Sequence, residues 1–158
     1  LDFDCEIIGD GEDKDSLTRA IAAAGLEQKV RLLGPRTAEE VAEAMQRARV
    51  FALPCVVGGD GNVDALPTVL LEAMACALPV VSTSISGIPE IVADGETGLL
   101  VPAGNAARLA DGIAALLRDD RAARCMGGAG RARAASLFDL NQNAARLGRL
   151  LRGEEALG

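Results

Sequence analysis

The sequence contains no histidine, no tryptophan and no tyrosine, and only three phenylalanines. Without imidazole there is no Ser-His-Asp or Cys-His nucleophile, no histidine acid–base catalysis and no His-based zinc site. With aromatics at 2%, stacking of bases on aromatic platforms is excluded as a main activity. Positive charge is scarce as well: 16 Lys and Arg against 23 Asp and Glu give a net charge of −7 and a pI near 4.6. Such a surface repels nucleic acid, whereas a small anion held in one local pocket is not excluded. No run of ~18 apolar residues is present, so no membrane-spanning helix is expected. The four cysteines, at 5, 55, 76 and 125, form no C-x-x-C pair. Three lie inside apolar runs, and all read as reduced core residues of a cytoplasmic protein.

What is present is a 158-residue chain, 49% apolar and 25% charged, enough for one hydrophobic core. Five short apolar, largely β-branched runs read as strands: Cys5–Ile8, Val30–Leu33, Val50–Leu53, Pro79–Ser82 and Gly98–Val101. Helical periods run between them. Leu17, Ala20, Ile21 and Ala24 mark a helix over Ser16–Leu26, and Thr37-Ala38-Glu39-Glu40 is a capping box opening the next. Pro67 stands at the expected first position of a third, which runs to Ala77. After Val101 only helices follow, at Ala106–Leu117, Arg121–Ala135 and Leu140–Leu151. Strand–helix alternation with short connections implies an α/β fold, a doubly wound parallel sheet, here with a C-terminal helical tail. Opening at Leu1 and in a strand by Cys5, the sequence reads as an excerpt from a longer protein, cut at a strand.

Ligands of such sheets bind beyond the carboxyl ends of the strands, where loops meet helix N-termini. The loop from Cys55 to Leu66 is long for this position, which points to function, a flexible glycine-rich insertion being the other reading. Gly9-Asp10-Gly11 is no dinucleotide fingerprint, because Lys14 occupies the place of the third glycine. Neither a Walker A loop nor a G-x-S-x-G elbow is present. Scattered acids such as Asp60 and Asp64 make no metal cage.

Glu72 is the most informative residue. The helix around it is apolar on every face, so it is expected to be buried, and a carboxylate within it needs a partner, a proton or a cavity. Two readings stand side by side: a ligand for the vicinal hydroxyls of a ribose, or a structural Glu paired with an Arg or a backbone N–H.

Asp64-Ala65-Leu66-Pro67-Thr68-Val69-Leu70-Leu71-Glu72 resembles the E-x7-E motif of retaining nucleotide-sugar glycosyltransferases with the GT-B fold, glycosyltransferase family 4. Six further segments resemble that family in the right order. They are Ile7-Ile8-Gly9-Asp10-Gly11, Val30-Arg31-Leu32-Leu33-Gly34, Phe51-Ala52-Leu53-Pro54-Cys55, Leu78-Pro79-Val80-Val81-Ser82-Thr83, Gly87-Ile88-Pro89-Glu90-Ile91-Val92 and Asp94-Gly95-Glu96-Thr97-Gly98-Leu99-Leu100-Val101-Pro102.

The resemblance implies that residues 1–158 are the donor-binding C-terminal domain of such an enzyme, the Rossmann-like half of a GT-B fold, without its acceptor-binding N-terminal domain. By family analogy Glu72 takes the ribose hydroxyls, Asp64 the donor-sugar hydroxyls, and the N–H groups of Thr68 and Val69 the diphosphate. Ala65, Leu66 and Gly9 are implied as further substrate-binding residues, and Leu33-Gly34-Pro35 borders the base. Glu90 is read as structural, fixing the turn at Gly87. Asp64 stands where relatives have Glu, one methylene longer, and Ala65 and Pro67 stand where many have Gly. The implied donor is a UDP-, GDP- or ADP-sugar and the chemistry is hexose transfer with retention, without metal or other cofactor, in polysaccharide biosynthesis. The acceptor, a glycan or lipid-linked sugar, and any membrane contact would belong to the missing half, so the fragment alone is expected to be inactive. The competing classes are a catalytically silent nucleotide-sugar-binding scaffold and a GT-B nucleotide-sugar epimerase, the latter disfavoured by the absence of histidine.

Overall fold

The computed structural model describes residues 1–59, 61 and 63–154; Asp60 lies outside them. The chain divides into two units, Leu1–Ala44 and Met45–Gly158.

In the first unit β1 (Cys5–Ile8), α1 (Lys14–Ala23) and β2 (Val30–Gly34) form a strand–helix–strand segment followed by α2 (Ala38–Arg47), which the unit boundary after Ala44 divides. β1 and β2 are parallel, with Cys5 opposite Val30 and Ile7 opposite Leu32, and the register shifts after Ile7. Glu6 and Arg31 are register partners and also an ion pair at 2.8 Å, but both are solvated, so the pair adds little stability. The capping box of α2 forms as expected: the Thr37 N–H donates to Glu40 Oε2 at 2.8 Å and the Glu40 N–H to Thr37 Oγ1 at 3.3 Å. α1 ends at Ala23, short of the expected Leu26. Gly25 adopts φ +65°, and the Leu26 N–H turns back to the Ile21 carbonyl, a left-handed glycine stop.

The second unit holds β3 (Phe51–Leu53), α3 (Thr68–Ala75), β4 (Val80–Thr83), a one-turn α4 (Ile88–Ile91) that the sequence pattern did not reveal, and β5 (Gly98–Val101). Three helices follow: α5 (Ala106–Arg118), α6 (Asp120–Leu137) and α7 (Leu140–Leu151). The strands run parallel in the order β3-β4-β5. Every residue of the central β4 is buried, which is why it reads as a continuous Val80-Val81-Ser82-Thr83 run without alternation. Around it Leu70, Met74, Ile88, Ile91 and Val92 are fully covered. The helices of the tail start where Asn105, Asp119 and Asp139 accept from N–H groups of their first turns. α3 packs on α6, where Gly127 and Gly130 let the α6 backbone approach the Ala77 and Thr97 carbonyls.

The parallel strands expected of an α/β fold are present, β1 beside β2 in the first unit and β3-β4-β5 in the second. One expectation needs correction. The cysteines are not core residues: Cys5, Cys55 and Cys76 are half-buried and Cys125 is exposed, all of them free thiols. An apolar neighbour in sequence covers a side chain only if the strand or helix turns that face inward.

Candidate functional site

The long β3–α3 connection is stitched down at both ends by β4 and the turn that follows it. Ser82 Oγ donates to the Leu53 carbonyl and Thr83 Oγ1 to the Cys55 carbonyl, each at 2.7 Å. At the far end the Ala65 carbonyl accepts from Ser86 Oγ at 3.0 Å and from the Gly87 N–H at 2.9 Å. These hydroxyls are buried or drawn into the turn, so the loop leaves and re-enters the fold at fixed points. The pattern alone did not single out Ser82, Thr83 or Ser86; the hydroxyl-rich run after the fourth strand was the available signal.

Within this frame Asp64 Oδ1 accepts from the Leu66 N–H at 3.3 Å, an Asx turn leading into Pro67. Pro67 is buried and precedes α3 as its N-cap, one position before the expected one. Since proline carries no side-chain acceptor, the N-terminus of α3 has no side-chain capping hydrogen bond. The N–H groups of Thr68 and Val69 donate to nothing among the described residues, while the Leu70 N–H reaches the Pro67 carbonyl. The start of α3 thus presents unpaired donors and the positive end of the helix dipole.

Glu72 lies one turn further on, and here the structure overturns the burial argument. α3 buries Leu70, Ala73 and Met74, and leaves Thr68, Glu72 and Ala75 on an exposed face at i, i+4, i+7. The Glu72 carboxylate is solvated and has no hydrogen bond or ion pair among the described residues. Apolar or small residues on a solvent face are ordinary, so composition around a helix does not prove burial. Of the two readings, the structural Glu paired with Arg or backbone is not the one observed.

Glu90, read as fixing the Gly87 turn, does so through its backbone. Its N–H donates to the Gly87 carbonyl at 3.0 Å, and its own carbonyl accepts from Arg133 Nη2 at 2.8 Å.

Asp64 also makes itself felt at Cys55. Burial pushes the Cys55 thiol above its ordinary range, and the Asp64 charge adds to the shift. Replacing Asp64 by Asn removes the smaller cause only. Alkylation of Cys55 at mildly alkaline pH should therefore quicken by a factor of a few, with exposed Cys125 as the unchanged reference in the same peptide map. An unaltered Cys55 rate would mean that the carboxylate is not held near the thiol.

The first unit carries the other predicted residues. The Gly9 N–H donates to the Gly34 carbonyl at 3.0 Å, joining the two strand ends. Beside them is an open cavity of about 290 Å³ lined by Gly9, Leu32, Gly34 and the turn from Asp10 to Lys14. Leu33 is half-buried and Pro35 exposed, and neither lines it. The expected site residues thus fall into two groups, one in each unit. Among the described residues no cluster of three or more His, Cys, Asp or Glu is placed to hold a metal, and no helix is long and apolar enough to cross a membrane.

Parallel strands feeding loops and an uncapped helix N-terminus define an α/β domain of the kind that binds ligands at the carboxyl edge of its strands. Residues 1–133 match the family described as glycosyl transferases group 1. The chain is 42% identical over 108 residues to the amylovoran biosynthesis glycosyltransferase AmsK of Erwinia amylovora, covering 68% of this chain and 26% of that protein. It is 37% identical over 148 residues to the GDP-mannose-dependent alpha-(1-6)-phosphatidylinositol monomannoside mannosyltransferase of Mycolicibacterium smegmatis, covering 93% of this chain and 39% of that one. Anabaena Alr3699/HepE, solved in complex with UDP-glucose, superposes with a TM-score of 0.83 at 25% identity, over 95% of this chain and 41% of that chain. The chain belongs to the group 1 glycosyltransferases, as a C-terminal domain of the GT-B type. It spans between 26% and 39% of the length of the two curated relatives just named.

Proposed function

We propose that this chain is the donor-binding part of a cytoplasmic, retaining hexosyltransferase that uses a nucleoside-diphosphate sugar and serves a glycan or lipid-linked acceptor. The observation that carries the reading is the start of α3: N–H groups of Thr68 and Val69 without an acceptor among the described residues, with Asp64 before them and, after them, the solvated Glu72, which has no partner among those residues. Developing negative charge on a leaving diphosphate is stabilised by fixed donors of this kind. In the transfer the bond from the sugar C1 to the diphosphate oxygen breaks, the diphosphate keeps the electron pair, and the acceptor oxygen bonds C1 while its proton passes to the diphosphate. Glu72 fits the ribose hydroxyls and Asp64 the sugar. Two relatives support a nucleotide-sugar donor: the mannosyltransferase is named as GDP-mannose-dependent, and HepE was solved with UDP-glucose.

Calorimetric titration of the chain with UDP, GDP and ADP tests the reading. One nucleotide is expected to bind, its monophosphate more weakly, and none of the three binding would end the proposal. Since the chain spans well under half of these relatives, we expect the 158 residues alone to bind donor without transferring sugar; turnover above background would refute that expectation. A silent nucleotide-sugar-binding domain is the second reading, favoured by one fact, that Asp64 Oδ1 is already engaged by the Leu66 N–H. Donor binding without transfer by the full-length protein would select it.

A further inference from the structure

Ser86 adopts φ +51°, a left-handed conformation that is costly for any residue with a Cβ. Such strain persists where surrounding contacts over-determine it, and here they do. Its hydroxyl and the next N–H, of Gly87, both end on the Ala65 carbonyl, twenty-one residues back in the chain. Gly87 is in close contact with the same atom: a Cβ there would lie 2.5 Å from the Ala65 oxygen and 2.8 Å from Leu66 Cδ1. The turn is itself anchored. Ile88 is fully buried, and Arg133 on α6 donates from Nε to the Ile91 carbonyl and from Nη2 to the Glu90 carbonyl, each at 2.8 Å. A continuous set of contacts therefore runs from α6 through α4 and the Ser86–Gly87 turn to Ala65, the residue between Asp64 and the entry to α3.

We propose that Ser86 and Gly87 are positioning residues for donor binding, acting through the Ala65 carbonyl to hold the Asp64–Leu66 turn and the open start of α3 in place. This rests on the donor reading above. Neither residue needs to touch the nucleotide. Their role is to reduce the freedom of a long connection, so that Asp64 and the donors of Thr68 and Val69 are presented together rather than gathered on binding.

The test separates anchoring from plain stability by two substitutions at one position in the full-length protein. Ser86→Ala loses the hydroxyl bond and keeps the strain; Ser86→Gly loses the same bond and relieves the strain. Both are expected to weaken binding of whichever of UDP, GDP and ADP the wild type takes, by roughly 2- to 10-fold, the worth of one hydrogen bond. KM for the donor should rise by a similar factor while kcat changes less. The melting temperature should split the pair, Ser86→Gly melting at or above wild type and Ser86→Ala below it. Gly87→Ala, which drives a Cβ into the Ala65 carbonyl, should weaken binding more than either. If both Ser86 variants bind nucleotide as wild type does while Ser86→Ala alone melts lower, the turn is merely structural and the proposal is wrong. If the wild type binds none of the three nucleotides, the donor reading itself fails and this proposal falls with it.

Discussion

Gly127→Ala is expected to destabilise the second unit by about 3 kcal/mol or more, at or beyond the upper end of ordinary overpacking. A Cβ at Gly127 would lie 2.0 Å from the Ala77 carbonyl oxygen, 2.9 Å from its carbon and 3.3 Å from the Pro79 nitrogen. All three are backbone atoms, so no side-chain rotation relieves the clash. Ala77 cannot easily retreat, because it holds φ +55° at the end of α3, and the neighbouring Leu78 N–H is bonded to the Ala73 carbonyl at 3.0 Å. Gly128 provides the contrast one residue away. A Cβ there meets nothing within 4 Å, so Gly128→Ala should stabilise by roughly 0.5–1 kcal/mol, the helix-propensity gain alone. At roughly 2–4 °C per kcal/mol for a chain of this size, the first variant should melt at least ~6 °C lower and the second slightly higher. Melting curves that move the same way for both would show that α6 does not lie against the Ala77 turn.

That contrast marks how far the sequence could be read. The order of strands and helices was legible because β-branched runs such as Val80-Val81 and the capping box of Thr37 with Glu40 are local signals, complete within four residues. The same holds for the order of candidate site residues along Asp64–Glu72. What depends on distant partners was hidden. Nothing in the run Gly127-Gly128 says which glycine faces the Ala77 carbonyl, since that depends on where α6 lies against the end of α3. The double acceptance at Ala65 from Ser86 and Gly87 joins residues separated by a whole helix and strand. Glu72 was misjudged for a related reason. Hydropathy around a helix limits which faces can be exposed, whereas the packing partner decides which one is, and α3 turns Thr68, Glu72 and Ala75 outward.

Glu72→Gln in the full-length protein is expected to weaken nucleotide binding by roughly 10- to 150-fold. The substitution keeps the shape and removes the charge, and a hydrogen bond to a charged group is worth about 1.5–3 kcal/mol, with 1.4 kcal/mol to each decade of affinity. The exposed position of Glu72, without partners among the described residues, fixes the companion expectation. No buried charge is relieved and no ion pair is broken, so the empty protein should keep its stability to within about 0.5 kcal/mol, the usual range for a solvated site. The two effects are therefore separable in one set of thermal melts, with and without saturating nucleotide. Wild type and variant should unfold together when empty, and the ligand-induced rise should shrink in the variant at equal nucleotide concentration, because stabilisation follows the ratio of ligand concentration to Kd. Retention of the 2′- and 3′-hydroxyls in the probe matters to the same argument. A 2′-deoxy nucleotide should lose affinity for the wild type and lose less for Glu72→Gln, since the variant has already given up the charge that the hydroxyl would meet. An equal loss in both proteins, or a variant that melts far lower when empty yet gains the full ligand-induced rise, would end the assignment of Glu72 to the ribose.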